Sequence, residues 1–121
     1  MTDQRIDVYL ICNAKYHDTN FSRLELLKLL AEHEDVWVRV ADSYADIEAI
    51  KNATLLITYT CDLCPTEQQQ HGLREFLENG GRWLALHGTN ALVEFVDGKA
   101  DTPDKAPHLM QSLGSRFVAH P

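Results

Sequence analysis

Four apolar segments alternate with amphipathic segments along this chain of 121 residues, and this alternation constrains the fold more than any other feature. The apolar segments are residues 6–12, 36–40, 55–59 and 83–86. Strands that alternate with helices predict a parallel sheet with right-handed crossovers. We therefore expect a single α/β domain over residues 1–121. It should be a three-layer α/β/α sandwich with a mostly parallel sheet, for which we assume the strand order 2-1-3-4.

Two sequence patterns place the ends of the helices. Ser22 and Glu25 have capping-box spacing, with Phe21 and Leu26 placed as a hydrophobic staple, so the first helix is expected to begin at this point. Thr66 caps the third helix, with Gln69 as its partner, and Asn79-Gly80-Gly81 ends it in a left-handed turn.

The C-terminal third of the chain gives a weaker pattern. Residues 97–107 are polar and turn-rich, which predicts a surface loop, and a further strand is expected to start after Gly114. Doubly wound domains commonly carry five or six strands. We therefore expect either that the domain is incomplete at its C-terminus or that a second copy of the chain covers the open sheet edge.

Composition restricts the partners and the compartment. A net charge of −7 argues against nucleic acids and anionic membranes as partners, because both require a basic face. No apolar run approaches the roughly 20 residues of a membrane span, and no signal segment is recognised at the start. Three cysteines form no disulfide framework. These features predict a cytoplasmic, reduced protein.

The candidate site is the crevice above the carboxyl ends of the first and third strands, where the strand order reverses. Loops 13–20, 60–65 and 87–90 reach it, and their chemically active side chains are His17, Asp18, Cys61, Asp62, Cys64 and His87. Gly88 permits a tight turn directly after His87. Because imidazole exchanges protons near neutral pH, His87 is the first candidate for a general acid, general base or metal ligand. The alternative is a histidine that only hydrogen-bonds its loop.

The remaining candidates each have two interpretations. His17 either faces His87, with Asp18 orienting it or joining it as a metal ligand, or belongs to a solvated loop pair. Cys61 and Cys64 have Cys-x-x-Cys spacing, which is typical of redox or metal sites but equally of two ordinary reduced thiols. Three further histidines lie on or near exposed helical faces and receive no role: His33, His71 and His108.

Several motifs together resemble the ThuA-like (trehalose utilisation) domains. They are Glu-Gln-Gln-Gln at 67–70, residues 76–81, Leu-Ala-Leu-His-Gly-Thr at 84–89 and Leu-Gly-Ser-Arg-Phe-Val-Ala-His-Pro at 113–121. The resemblance spans essentially the whole chain. It implies the class I glutamine amidotransferase-like superfamily, whose fold is flavodoxin-like.

The resemblance also implies a function. Leu86 stands where amidotransferases carry their nucleophilic cysteine, so glutamine hydrolysis through a thiolate is not expected. ThuA-like proteins are associated with disaccharide and keto-sugar metabolism, which implies a hydrolase- or lyase-type reaction on a small sugar derivative. His17, His87 and His120 become candidate ligands of a divalent metal such as zinc, with His87 and Asp18 as catalytic residues. The alternative is a non-catalytic binding or assembly module.

Overall fold

The structure is a computed structural model that describes residues 4–119. Its main elements are β1 (Ile6–Ala14), α1 (Thr19–Leu30), β2 (Val36–Ala41), α2 (Ile47–Lys51), β3 (Leu55–Cys61), α3 (Glu67–Glu78), β4 (Arg82–Ala85), β5 (Glu94–Val96), β6 (Lys99–Asp101) and α4 (Pro107–Leu113). The first four strands form a parallel sheet in the order β2-β1-β3-β4. The predicted α/β class and strand order are therefore confirmed, and the arrangement is flavodoxin-like.

Strand β1 lies at the centre of the fold because its apolar residues are covered on both faces. Val8 pairs with Val38 of β2 on one side and with Leu55 of β3 on the other. Alternate residues of β1 contribute to two separate cores. One core, with Leu10 and Ile57, packs against α1.

The second core lies on the opposite face of the sheet and is larger. It is formed by β1, β3, α2, α3 and α4, and its fully buried members include Ile11, Ile50, Leu56, Leu73, Phe76 and Leu109. The two cores make the domain a three-layer sandwich. No helix within residues 4–119 has the length and apolar character needed to cross a membrane.

Helix α1 begins earlier than its sequence pattern predicts. Asp18 is the N-cap, and its carboxylate accepts a hydrogen bond of 3.0 Å from the Phe21 amide. The predicted start at Ser22 is wrong, and Phe21 is exposed instead of stapled. In α3 the prediction is confirmed, since Thr66 and Gln69 form a complete capping box and Gly80 follows the helix at positive φ.

The polar segment after β4 contains a hairpin that was predicted to be a loop. Strands β5 and β6 pair antiparallel around Asp97 and Gly98, which both have positive φ. This is the backbone combination of a type I′ turn, in which an Asp-Gly pair is favoured. The prediction of a further strand after Gly114 is wrong for residues 115–119, which form no strand.

Candidate functional site

Two histidines meet at the carboxyl edge of the sheet, as the sequence predicts. His17 follows β1 and His87 follows β4, and their Nε2 atoms lie 3.0 Å apart. The two rings are tilted by 67° with centroids 4.8 Å apart, and both side chains are exposed. Tyr59, near the end of β3, packs edge-on against the His17 ring. The pair therefore lies above the point at which the strand order reverses.

A backbone carbonyl fixes the tautomer of His17. The Nδ1 atom of His17 lies 2.8 Å from the carbonyl oxygen of Lys15, which can only accept a hydrogen bond. Nδ1 must therefore carry the proton, and Nε2 presents a lone pair to His87. In the neutral pair, His87 then donates through its Nε2–H. The Lys15 carbonyl thus has the orienting role that we predicted for Asp18, whose side chain caps α1 instead.

Asp62 connects the loops that carry the two histidines. Its Oδ2 atom lies 3.4 Å from the Lys15 ammonium, and its Oδ1 accepts a hydrogen bond of 2.9 Å from the Val93 amide. The hydrogen bond that the Lys15 ammonium donates to Asp62 is the main cause that holds the pKa of Lys15 above its usual range. The Lys15 amide also donates to the Cys61 carbonyl at 3.2 Å. Asp62 therefore links the segment that follows β1 to the segment that follows β4.

Buried hydroxyl groups hold the turn after β4. Trp83 donates from Nε1 to the hydroxyl of Thr58 at 2.9 Å, and that hydroxyl lies 2.9 Å from the hydroxyl of Thr89. Thr89 in turn donates to the Leu86 carbonyl at 2.8 Å. These bonds form one continuous chain in which every hydroxyl donates once and accepts once. They fix the residues on both sides of His87.

Cys61 and Cys64 lack the surroundings that activate a redox dithiol. Both are free thiols, with Cys61 buried and Cys64 exposed. Burial raises the pKa of each thiol, whereas a redox cysteine requires a lowered pKa. Thr66, and not a cysteine, caps the following helix. These observations disfavour the redox interpretation of the Cys-x-x-Cys spacing.

Two cavities differ in what they contain. A cavity of about 290 Å³ is lined by residues 85–90 and Leu113, and it includes His87. A larger cavity of about 570 Å³ lies at the opposite end of the strands, beside Arg5, Trp37 and Arg39. Of the predicted site residues that the structure describes, none lines the larger cavity. We therefore take the smaller cavity as the candidate binding pocket.

His120, the third predicted metal ligand, lies outside the described residues. A different group of potential ligands is present elsewhere, formed by Glu67, His71 and His108. His71 and His108 have no role in the prediction from the sequence. The spacing of four residues between Glu67 and His71 on a predicted helix was the available signal, because residues i and i+4 share one helical face.

Comparisons of the chain with protein-family models, with curated proteins and with solved structures find no match. The resemblance to ThuA-like domains stays a prediction from the sequence motifs. What the geometry supplies directly is a pair of hydrogen-bonded imidazoles beside a small open cavity. Such a pair can transfer protons or supply two nitrogen ligands to a cation.

Proposed function

We propose that the domain acts on a small sugar or sugar derivative, with His17 and His87 as its reactive pair. The observation that supports this most strongly is the 3.0 Å contact between their Nε2 atoms, together with the position of His87 in the lining of the cavity. The sequence motifs that resemble ThuA-like domains favour a keto-sugar or a disaccharide as the substrate class. A hydrolase- or lyase-type reaction on such a substrate requires a proton donor and a proton acceptor.

The hydrogen bonding of the pair supports a different role for each histidine. His17 keeps its proton on Nδ1 because the Lys15 carbonyl accepts it, so only its Nε2 can receive a proton. His87 holds a transferable proton on Nε2 and shares it with His17. When the pair gains one proton, the hydrogen bond between the rings becomes charge-assisted and therefore stronger. His87 is thus suited to proton transfer, with His17 as its stabilising partner.

The same two nitrogens fit a divalent metal ion such as zinc. Bonds of about 2.0–2.1 Å at a tetrahedral centre place two nitrogen ligands about 3.3 Å apart, close to the observed 3.0 Å. His17 also donates its other ring N–H to a carbonyl, as metal-bound histidines usually do. His120 is the proposed third ligand. A bound ion would polarise a carbonyl or hydroxyl oxygen of the substrate.

Two measurements on the complete chain test the proposal. The first is consumption of a panel of keto-sugars and disaccharides, followed by proton NMR, for the wild type and for His87→Ala. We expect His87→Ala to lower turnover roughly 10²–10⁴-fold, as for loss of a general acid or base. His33→Ala is the matched control, since His33 is an exposed histidine between α1 and β2. Unchanged turnover in His87→Ala would remove the pair from the reaction.

The second measurement is zinc affinity by competition with a chromogenic chelator. His17→Ala should weaken zinc binding at this pair at least tenfold, because loss of an outer partner alone costs roughly 10–100-fold. Both chains carry His71→Ala, so that the group of Glu67, His71 and His108 does not contribute to the measured affinity. Equal zinc affinity in this background with and without His17→Ala would exclude the metal at the pair while leaving proton transfer open. The two results together distinguish metal-assisted chemistry from acid–base chemistry.

A second candidate function is an assembly module without catalysis. The observation that favours it is the sheet edge at β4, where Leu84 is 48% exposed. Exposed strand edges pair readily with another chain, so a second copy is the expected partner. Sedimentation velocity of the wild type and of Leu84→Lys would show a dimer that the charged variant loses. Turnover of any sugar by a monomeric chain would argue against this alternative.

A further inference from the structure

Three metal-ligating side chains converge where α3 packs against α4. Glu67 and His71 are one helical turn apart on α3, and His108 lies in the first turn of α4. Their ligand atoms all lie within 4.8 Å of one another. The two imidazole rings are edge-to-face, with centroids 4.9 Å apart and an interplanar angle of 77°. These residues share no member with the His17–His87 pair.

Small side-chain movements would close this group around one ion. Ligands of a tetrahedral zinc ion lie about 3.3 Å apart, given bonds of about 2.0–2.2 Å, so the gaps exceed that spacing by no more than about 1.5 Å. Glu67 and His71 are exposed and His108 is half-buried, which leaves the first two free to rotate. Solvent can also reach the remaining coordination positions. The group therefore needs no change in backbone structure to bind a cation.

A buried glutamine holds the two helices in the register that this group needs. The side chain of Gln70 accepts a hydrogen bond of 3.1 Å from the Leu109 amide and donates one of 3.1 Å to the Pro65 carbonyl. The N-cap of α4 is Ala106, which offers no side-chain hydrogen bond, so Gln70 supplies the missing cap from the neighbouring helix. Gln70 precedes His71 and Leu109 follows His108, which fixes the separation of the two histidines.

The negative charge of the group comes from Glu67. Glu67 offsets the positive end of the α3 dipole, which alone would repel a metal ion. Glu75, one turn beyond His71, is held 2.8 Å from the Lys51 ammonium. That ammonium is the main cause that keeps the pKa of the Glu75 carboxyl below its usual range, and His71 is a minor one. Glu75 thus adds a negative charge near the site but is already paired.

We propose that Glu67, His71 and His108 form a binding site for one divalent transition-metal ion, separate from the reactive pair. Two imidazoles and one carboxylate are ligands that suit zinc, nickel or copper better than magnesium or calcium. The three ligands leave coordination positions for water. Binding would join α3 to α4 and so fix the helix whose last residue, Leu113, lines the cavity beside His87.

The test uses zinc as the probe and the chain with both reactive-pair histidines removed. His17→Ala/His87→Ala should still bind one zinc ion by calorimetry and should unfold at a higher temperature when zinc is present. Adding His71→Ala to this double variant should weaken the binding at least tenfold and abolish the thermal shift. Millimolar magnesium should leave both results unchanged.

Matched variants make the test specific. His33→Ala, added to the same double variant, should change neither zinc affinity nor the thermal shift. Gln70→Ala should weaken zinc binding through misplaced helices, whereas Gln68→Ala, at an exposed neighbouring position, should not. If the double variant binds no zinc, or if His71→Ala and Glu67→Gln both bind it with unchanged affinity, the proposed site does not exist. Because the reactive pair is absent throughout, neither outcome affects the proposed function.

Discussion

Replacement of Gly88 tests the backbone geometry that places His87. Gly88 has a φ of +84°, which residues with a side chain rarely adopt. A Cβ atom at this position would overlap the carbonyl oxygen of Thr60 and lie 3.1 Å from the Cβ of Cys61. Both are parts of the end of β3, against which the turn after β4 packs. The substitution Gly88→Ala therefore combines backbone strain with a steric clash.

The two contributions can be assigned separate magnitudes. A left-handed conformation costs a residue with a Cβ about 1–2 kcal/mol. Overpacking of a close contact adds about 1–3 kcal/mol, because the obstructing atom belongs to the backbone and cannot rotate away. We expect Gly88→Ala to lower the free energy of unfolding by about 2–5 kcal/mol, which is a large share of the roughly 5–15 kcal/mol of a typical domain.

Gly80→Ala is the matched control. Gly80 has a similar φ of +90°, but a Cβ there would meet no atom within 4 Å. This variant should lose only the strain of about 1–2 kcal/mol. Urea unfolding, followed by the fluorescence of the half-buried Trp83, measures both variants. Losses that agree within about 0.5 kcal/mol would show that residue 88 does not approach Thr60 and would refute the described geometry.

Three further predictions concern the same region. Thr58→Val should lower the free energy of unfolding, measured in urea, by about 1–3 kcal/mol, because the indole N–H of Trp83 and the hydroxyl of Thr89 lose a partner. An unchanged urea midpoint would contradict the hydrogen-bond chain. Asp18→Ala should lower the free energy of unfolding by about 0.5–2 kcal/mol because α1 loses its N-cap, and Asp18→Asn should leave it almost unchanged. Loss of turnover in a stable Asp18→Asn variant would support the predicted catalytic role of this carboxylate. The rate of Cys64 alkylation by iodoacetamide should reach half its maximum at a higher pH than the rate for N-acetylcysteine, because a raised pKa leaves less thiolate at neutral pH. A half-maximal rate at a lower pH than for N-acetylcysteine would favour the redox interpretation.

The parallel sheet and the histidine pair could be predicted because both follow from local patterns and one geometric rule, whereas the strand order was an assumption that the structure confirms. The apolar runs of β1 and β3 reveal strands covered on both faces. The carboxyl ends of parallel strands share one edge of the sheet, so residues that follow β1 and β4 approach each other there. That rule brings His17 and His87 together without any knowledge of side-chain conformations.

The start of α1 could not be predicted because two N-cap signals compete within a few residues. Ser22 has a capping-box partner at Glu25, whereas Asp18 has none in the sequence. Asp18 is used because a tertiary contact supports the earlier start. The Thr19 hydroxyl accepts a hydrogen bond of 3.1 Å from the Ala14 amide, which joins the first turn of α1 to the end of β1. Sequence patterns do not contain that contact.

The group at Glu67, His71 and His108 shows why one histidine pair was predictable and the other was not. His17 and His87 both follow strands of one sheet, and the sheet fixes their separation. His108 belongs to a short helix that follows an unpredicted hairpin, and its position depends on the hydrogen bonds of Gln70. A buried amide between two helices leaves no periodic trace in the sequence. The complete group is therefore recognisable only once α4 has been packed against α3, although the Glu67–His71 spacing was an available signal for two of its three members.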